Sequence, residues 1–389
     1  MKTDIDCYTR KFAYATLRLS ELLINSIVWG YAIFYKSKSK SKSKISSIGA
    51  FWYYPEDITG SNLRFGKWKP YFEKEGVAFK NFHINKFSEY VLNVEKGNWT
   101  KKYLFFTKCL WRRFPQLIKS HNYDCIWIDR GLIPFYPRQN AFIERQIKKV
   151  CSRLIVDTTD GGDYQGNPKL MEDVLNTADE ITVGYKYLKE FYEVNFKVNQ
   201  IFWTIPKDGY VLEKVRKNTT KLIVGWMGSP SNFKQVLSIV EELRSVHDET
   251  PFIFRYICRE NFDDKLIGLD CEHHYFSEEY HDIIASFDIG ICPFLTKDLR
   301  SQGKIAMKHQ EFLLMGTPQV CSPVAISEFV RHNEHVLIAK NSDDWIDFLK
   351  LLLSDSFKRE IFSTSSKALF NQYYTYESQY EKLKNVLVK

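Results

Sequence analysis

Residues 303–323, GKIAMKHQEFLLMGTPQVCSP, leave less freedom than any other stretch of this chain. Ile305, Ala306, His309, Phe312, Leu313 and Met315 recur at helical spacing, which predicts a buried helix. Gly316 supplies the left-handed residue that ends such a helix, and Pro318 blocks its resumption. Gln319, Val320 and Cys321 then read as a short strand, stopped by Ser322 and Pro323. Lys304 and Lys308 stand four residues apart and share a face, with Glu311 one turn later. Two ammonium groups close to a helix N-terminus are suited to hold a diphosphate. A carboxylate one turn on is suited to accept hydrogen bonds from a ribose diol. A surface helix with solvated lysines has the same spacing, and spacing alone does not separate the two.

Upstream, the run KLIVGWMGSPSN from residue 221 reads as a strand entering Gly225-x-x-Gly228-Ser229, with a helix over 232–246. Backbone N–H groups in a strand–glycine–helix turn point at phosphate oxygens. Residues 252–258 form the next strand, with Arg259 at its end as a phosphate or base contact. A helix over 280–287 and a strand over 288–295 lead through a polar loop back to Gly303. Amphipathic helices follow at 345–353 and 356–372, and 373–389 is also expected to be helical. In the first half, strands are expected at 45–54, 77–82, 123–130 and 153–158, and again from 178 and 199. The loop at Gly60 and Ser61 follows the first strand, and a helix over 63–76 comes next. The third strand ends in Asp129-Arg130, and a helix over 139–151 follows it. The fourth strand ends in a glycine-rich turn carrying Asp157 and Asp160. These two aspartates either orient substrate hydroxyls or make an Asx turn and a helix cap. Spaced three apart, they are not a D-x-D motif and need not converge on one metal. Strands alternating with helices predict an α/β chain of doubly wound parallel sheets.

The pattern Gly303-Lys304-x-x-x-Lys308-x-x-Glu311-x-x-x-x-Gly316-Thr317-Pro318-x-Val320-x-Ser322-Pro323-Val324 resembles the signature of GT-B glycosyltransferases, family 4-like, of the bacterial cell-surface glycan type. Asp288-Ile289-Gly290 is similar to the same family's D-I-G strand. The family's first glutamate is replaced here by Gly303. The resemblance implies two Rossmann-like doubly wound domains facing a cleft: an acceptor-side domain over 45–205, a linker over 206–220, a nucleotide-sugar domain over 221–366, and a terminal helix over 367–389 returning to the first domain. It implies transfer of a sugar from a nucleoside-diphosphate sugar to a polysaccharide or lipid-linked glycan, retaining and metal-independent. In that reading Gly225, Gly228, Ser229, Arg259, Gly303, Lys304, Lys308 and Glu311 hold the donor. Gly60, Ser61, Arg130, Asp157 and Asp160 face the acceptor. Asp160, Lys304, Lys308 and Glu311 are the candidate catalytic residues. A nucleotide-sugar epimerase of the same fold is one alternative, and a non-catalytic glycan- or nucleotide-binding subunit is the other.

No cofactor is expected. No His/Cys/Asp cluster has metal-ligand spacing, and neither G-x-G-x-x-G nor G-x-S-x-G occurs. The 389 residues suit two domains. The net charge of +8 is concentrated near the N-terminus, which argues against a nucleic-acid footprint. The eight cysteines are scattered without a C-x-x-C pair, as expected of reduced cytosolic thiols. Residues 1–44 stand apart as an N-terminal helical and basic extension. An apolar stretch over 17–35 runs into KSKSKSKSK, which carries five lysines. Its uncharged part, 22–35, is short for a bilayer span, and its aromatics are of the interface type. A peripheral anchor on an anionic membrane surface is expected from 17–44, on the cytoplasmic face. A packing helix or a disordered tail are the other readings.

Overall fold

The computed structural model describes every residue but 1, 37–44, 55–56, 58, 134–137, 139, 159–160, 162–165, 203, 208–219, 278–279, 296–301, 304–305 and 327, and omits the side chains of 2–5 and 59. Asp160, Lys304, Ile305 and most of the Lys/Ser run, the linker and the loop before Gly303 therefore lie outside the described residues. The chain divides into two compact units. One comprises Met1–Gly184, Leu188–Ile201 and Tyr380–Lys389, the other Tyr185–Tyr187 and Phe202–Gln379.

The first unit is built on a six-stranded sheet in the order β2 (Ala78–Phe82), β1 (Ser47–Phe51), β3 (Cys125–Asp129), β4 (Arg153–Thr158), β5 (Glu180–Val183) and β6 (Val198–Gln200). Every neighbouring pair is parallel. The central strands β3 and β4 are buried almost end to end, as parallel strands covered on both faces must be. The long helix α1 (Lys2–Tyr35) packs against α2 (Trp99–Ile118) and α3 (Phe142–Lys148). It is thus a working part of this unit. The Trp111 indole donates to the Ser20 hydroxyl at 3.1 Å, and the Tyr31 hydroxyl accepts from the His121 backbone N–H at 2.9 Å. The last helix, α7 (Tyr376–Val388), brings Tyr380 against Phe72 and pairs Lys384 with Glu75 at 2.7 Å.

The second unit's sheet runs β12 (Leu337–Ile338), β11 (Gln319–Cys321), β10 (Ile289–Cys292), β7 (Ile223–Met227), β8 (Ile253–Ile257) and β9 (Asp270–His274), again all parallel. Taken from β9, this is the 3-2-1-4-5-6 order of dinucleotide-binding folds, and its direction reverses between β7 and β10. The core carries Trp226, Phe254 and Tyr256 from the sheet, Phe233 from the segment after β7, and Trp345 and Leu349 from α5 (Ser342–Ser354). Helix α4 (Met307–Met315) is buried on every side, not on one apolar face. Gly316 caps it at φ 65°, and a Cβ there would come 2.6 Å from Lys367 of α6 (Ser356–Tyr373).

Two expected helices are broken. The one over 63–76 becomes a short helix Thr59–Arg64, a 3-10 turn Gly66–Trp68 and a helix Lys69–Lys74. Gly66 lies where a Cβ would meet the Asn62 side chain at 2.2 Å, and Pro70 starts a new helix. The helix over 232–246 divides into Lys234–Leu237 and Val240–Glu249. The Ser238 hydroxyl donates to the Gln235 carbonyl and Ile239 leaves helical geometry at φ −128°.

Candidate functional site

Strand β7 delivers Trp226 and Met227 to its carboxyl end, where the chain turns at Gly228 and Ser229. The Gly228 N–H donates to the Ile257 carbonyl at 3.0 Å, which ties the turn to β8. A Cβ on Gly228 would approach the Trp226 ring at 2.6 Å and the Lys308 Nζ at 3.4 Å, so only glycine fits. Gly225 has a different reason for being glycine. It lies inside β7, where a Cβ would sit 2.0 Å from Phe287, so the packing of that ring explains it without a phosphate. Ser229 precedes a 3-10 turn, its hydroxyl accepting from the Asn232 amide at 2.9 Å.

Lys308 reaches this turn from α4, some eighty residues later. It is 8% exposed, with Nζ 4.4 Å from the Trp226 ring centroid and 5.5 Å from that of Phe294, which follows β10. The ammonium therefore lies at the carboxyl ends of β7 and β10, the point where the strand order reverses. In open α/β sheets ligands collect there. Aromatic faces hold a partly desolvated cation by their quadrupoles, a contribution of about 2 kcal/mol. Glu311, one turn along, is fully buried and accepts from the Tyr280 hydroxyl at 3.1 Å. Tyr280 had no motif to mark it in the sequence. His309 points the other way, its Nδ1 2.7 Å from the Gln319 side-chain oxygen, which fastens α4 to β11. Burial pulls its pKa down to about 4. Gly303 lies buried in a turn ahead of α4, and Arg259 is exposed just past the end of β8. The structure thus brings Gly228, Ser229 and Lys308 into one place and sets Gly225 apart from them.

In the first unit the strand order reverses between β1 and β3. Arg130, at the end of β3, has φ 63°, in the left-handed region that side chains rarely occupy. Its guanidinium lies over Tyr54 at 4.9 Å and Tyr53 at 5.6 Å, and 3.8 Å from the Asp129 carboxylate. A cavity of about 270 Å³ opens beside it, lined by Tyr53, Arg130, Gly131, Arg138 and Asn167 among others. Arg138 is itself engaged, donating to both oxygens of buried Glu144 at 2.5 and 2.7 Å. Gly60 and Ser61 lie in the first turn of the helix Thr59–Arg64, where Ser61 is buried.

Asp157 is neither an Asx turn nor open to a substrate. It is fully buried in β4, with both oxygens accepting from Arg64 at 3.0 and 2.7 Å and a further hydrogen bond from Thr182. Arg64 also donates to the Ile201 carbonyl at 2.7 Å. The sequence carried no mark of this pairing, since the partners lie 93 residues apart. Among the described residues no cluster of His, Cys, Asp or Glu is arranged to hold a metal.

Similar sheets occur in solved structures. A glycosyltransferase from Rickettsia africae aligns over 89% of this chain and 99% of its own at 11% identity, with a TM-score of 0.63. HepE from Anabaena, solved with UDP and glucose, aligns over 88% of this chain and 99% of its own at 11% identity, with a TM-score of 0.59. The chain has the GT-B fold. Sucrose-phosphate synthase from Thermosynechococcus elongatus, another GT-B neighbour, covers 72% of this chain and 78% of its own at 10% identity and a TM-score of 0.54. No protein-family model matches the chain, and no curated protein matches it in sequence. At such identities the likeness is one of backbone.

Proposed function

We propose that this protein transfers a sugar from a nucleoside-diphosphate sugar to a polysaccharide or lipid-linked glycan. The observation that carries the reading is the ammonium of Lys308 at the β7–β10 switch point, 3.4 Å from where a Gly228 Cβ would be. With the Gly228 N–H taken by the Ile257 carbonyl, the Ser229 backbone amide and this cation would together make the anion-binding corner. The departing nucleoside diphosphate gains charge as the glycosidic bond breaks, and a fixed cation lowers that barrier without a divalent ion. Glu311, held by Tyr280, is the proposed ribose contact. Lys304, Gly303 and Arg259 are proposed to complete the donor side.

On the acceptor side the proposal rests on Arg130, whose strained backbone aims a guanidinium beside the 270 Å³ cavity. Gly60, Ser61 and Asp160 are proposed as further acceptor contacts, and the reaction as retaining. HepE was solved with UDP-glucose, which supports trying uridine nucleotides first. The proposed setting is the cytoplasm, supported by cysteines that are all free, six of them buried.

The test incubates pure protein with radiolabelled nucleotide sugars, with and without candidate acceptors. Acceptor-dependent release of nucleoside diphosphate, lost in Lys308→Ala, supports transfer. Isomerised sugar nucleotide formed without any acceptor would point to an epimerase. Binding with no turnover would point to a non-catalytic subunit.

A further inference from the structure

Helix α1 is apolar on two opposite faces. Ala13, Leu17, Ile24, Val28 and Ala32 form the buried stripe that meets α2 and α3. On the far side a second stripe steps by three, four or seven residues through Tyr8, Phe12, Leu19, Leu22, Trp29 and Ile33. Phe12 is 74% exposed, Leu19 68% and Leu22 63%. From Tyr8 to Ile33 it spans about 38 Å at ~1.5 Å per residue. An apolar helix face is normally sunk in a core or in lipid, and here only one of the two has a core to meet. Helix α2 extends the bare surface with Trp99, Leu104 and Trp111. At one end a recess of about 380 Å³ is lined by Arg10, Lys11, Tyr14, Trp99 and Tyr103, and Lys102 lies over the Trp99 ring at 5.0 Å.

We propose that this α1–α2 face docks flat on an anionic lipid bilayer. Trp and Tyr prefer the headgroup level, and cations at the rim of an apolar stripe meet anionic headgroups. Length and composition would also let α1 cross a bilayer. Its buried stripe and its hydrogen bonds through Ser20 and Tyr31 instead hold it lengthwise against the unit, so it lies in the membrane plane. This inference does not depend on sugar transfer, and its test contains no donor.

Flotation of the full chain with vesicles of phosphatidylcholine and phosphatidylglycerol tests it. The wild type should float, less so at high salt and less with phosphatidylcholine alone. Leu19→Glu combined with Leu22→Glu should lower the bound fraction roughly tenfold or more, with the melting temperature unchanged because both side chains are exposed. Should that variant fail to fold, Phe12→Ser with Ile33→Ser serves in its place. Wild-type protein left at the bottom of the gradient overturns the proposal, as does equal binding by the variants. A wild-type dimer made monomeric by the glutamates, with no vesicle binding, would assign the face to a second copy of the chain. Retention reversed only by detergent would replace docking with spanning.

Discussion

Each sheet of this molecule ends, at its switch point, in a cation stacked on two aromatic rings. Arg130 lies over Tyr53 and Tyr54, and Lys308 over Trp226 and Phe294. The surroundings differ. Arg130 is near its own neighbour's carboxylate, Asp129, on a strained backbone beside a cavity. Lys308 is nearly buried against the backbone of a glycine turn on an unstrained helix. The first arrangement suits a group that meets a variable, partly solvated acceptor. The second suits fixed recognition of a phosphate. A third cation, Arg64, shows what purely structural pairing looks like: buried, bidentate on Asp157 and also bonded to a backbone carbonyl. Burial alone therefore does not separate these charges; whether both carboxylate oxygens of a buried partner hold the cation does.

That contrast can be broken by substitution. Arg64→Ala should have the largest effect on stability, about 3–5 kcal/mol, because it leaves Asp157 charged and buried. Urea unfolding measures it, and donor affinity should stay unchanged. Lys308→Ala should leave the fold intact and reduce kcat/KM by roughly a hundredfold or more, as loss of one transition-state charge contact does. Steady-state transfer rates check it; a fall in stability as large as that of Arg64→Ala would place Lys308 with the structural charges.

His309 offers a pH test of the helix that carries Lys308. An unfolded histidine protonates near 6.5, whereas buried His309 resists until about 4. The unfolded chain thus binds the proton first, and this contribution is fully present above 6.5 and lost as the pH falls towards 4. The difference corresponds to about 3 kcal/mol at most. Melting curves across that window should fall less steeply in His309→Gln. The smallest effect is expected at Arg130. Arg130→Gly should stabilise the first unit by about 1 kcal/mol through relief of its positive φ, while slowing transfer and sparing donor binding. An isothermal titration alongside a rate assay separates those outcomes.

Much of the fold was legible because its strands are apolar runs and its main turn is Gly316-Thr317-Pro318. Strands β3, β4, β7, β8 and β10 all announce themselves this way. Strand β9, Asp270–His274, did not, because DCEHH is a polar edge strand without alternation. Helix α2 escapes the sequence reading although Phe105, Phe106, Cys109, Leu110 and Leu117 recur at helical spacing behind an Asn98 cap; Pro115 inside it reads as a breaker. Within the site, spacing placed Lys308 and Glu311 on one helix, but Trp226, Phe294 and Tyr280 come from three other segments. Such neighbours are set by tertiary packing. Gly225 was drawn into the diphosphate turn by its position in G-x-x-G, yet the ring of Phe287 alone accounts for it.

Whether the Lys308 corner holds a nucleotide can be measured directly. Thermal shifts with UDP, GDP, ADP and CMP, with magnesium or with chelator, should be measured on wild type and Lys308→Ala. A ligand that binds only the folded chain raises its melting temperature by mass action. The expected result is a shift with one nucleoside diphosphate, unaffected by chelator and absent in Lys308→Ala. No shift with any nucleotide, or an equal shift in the variant, would contradict it.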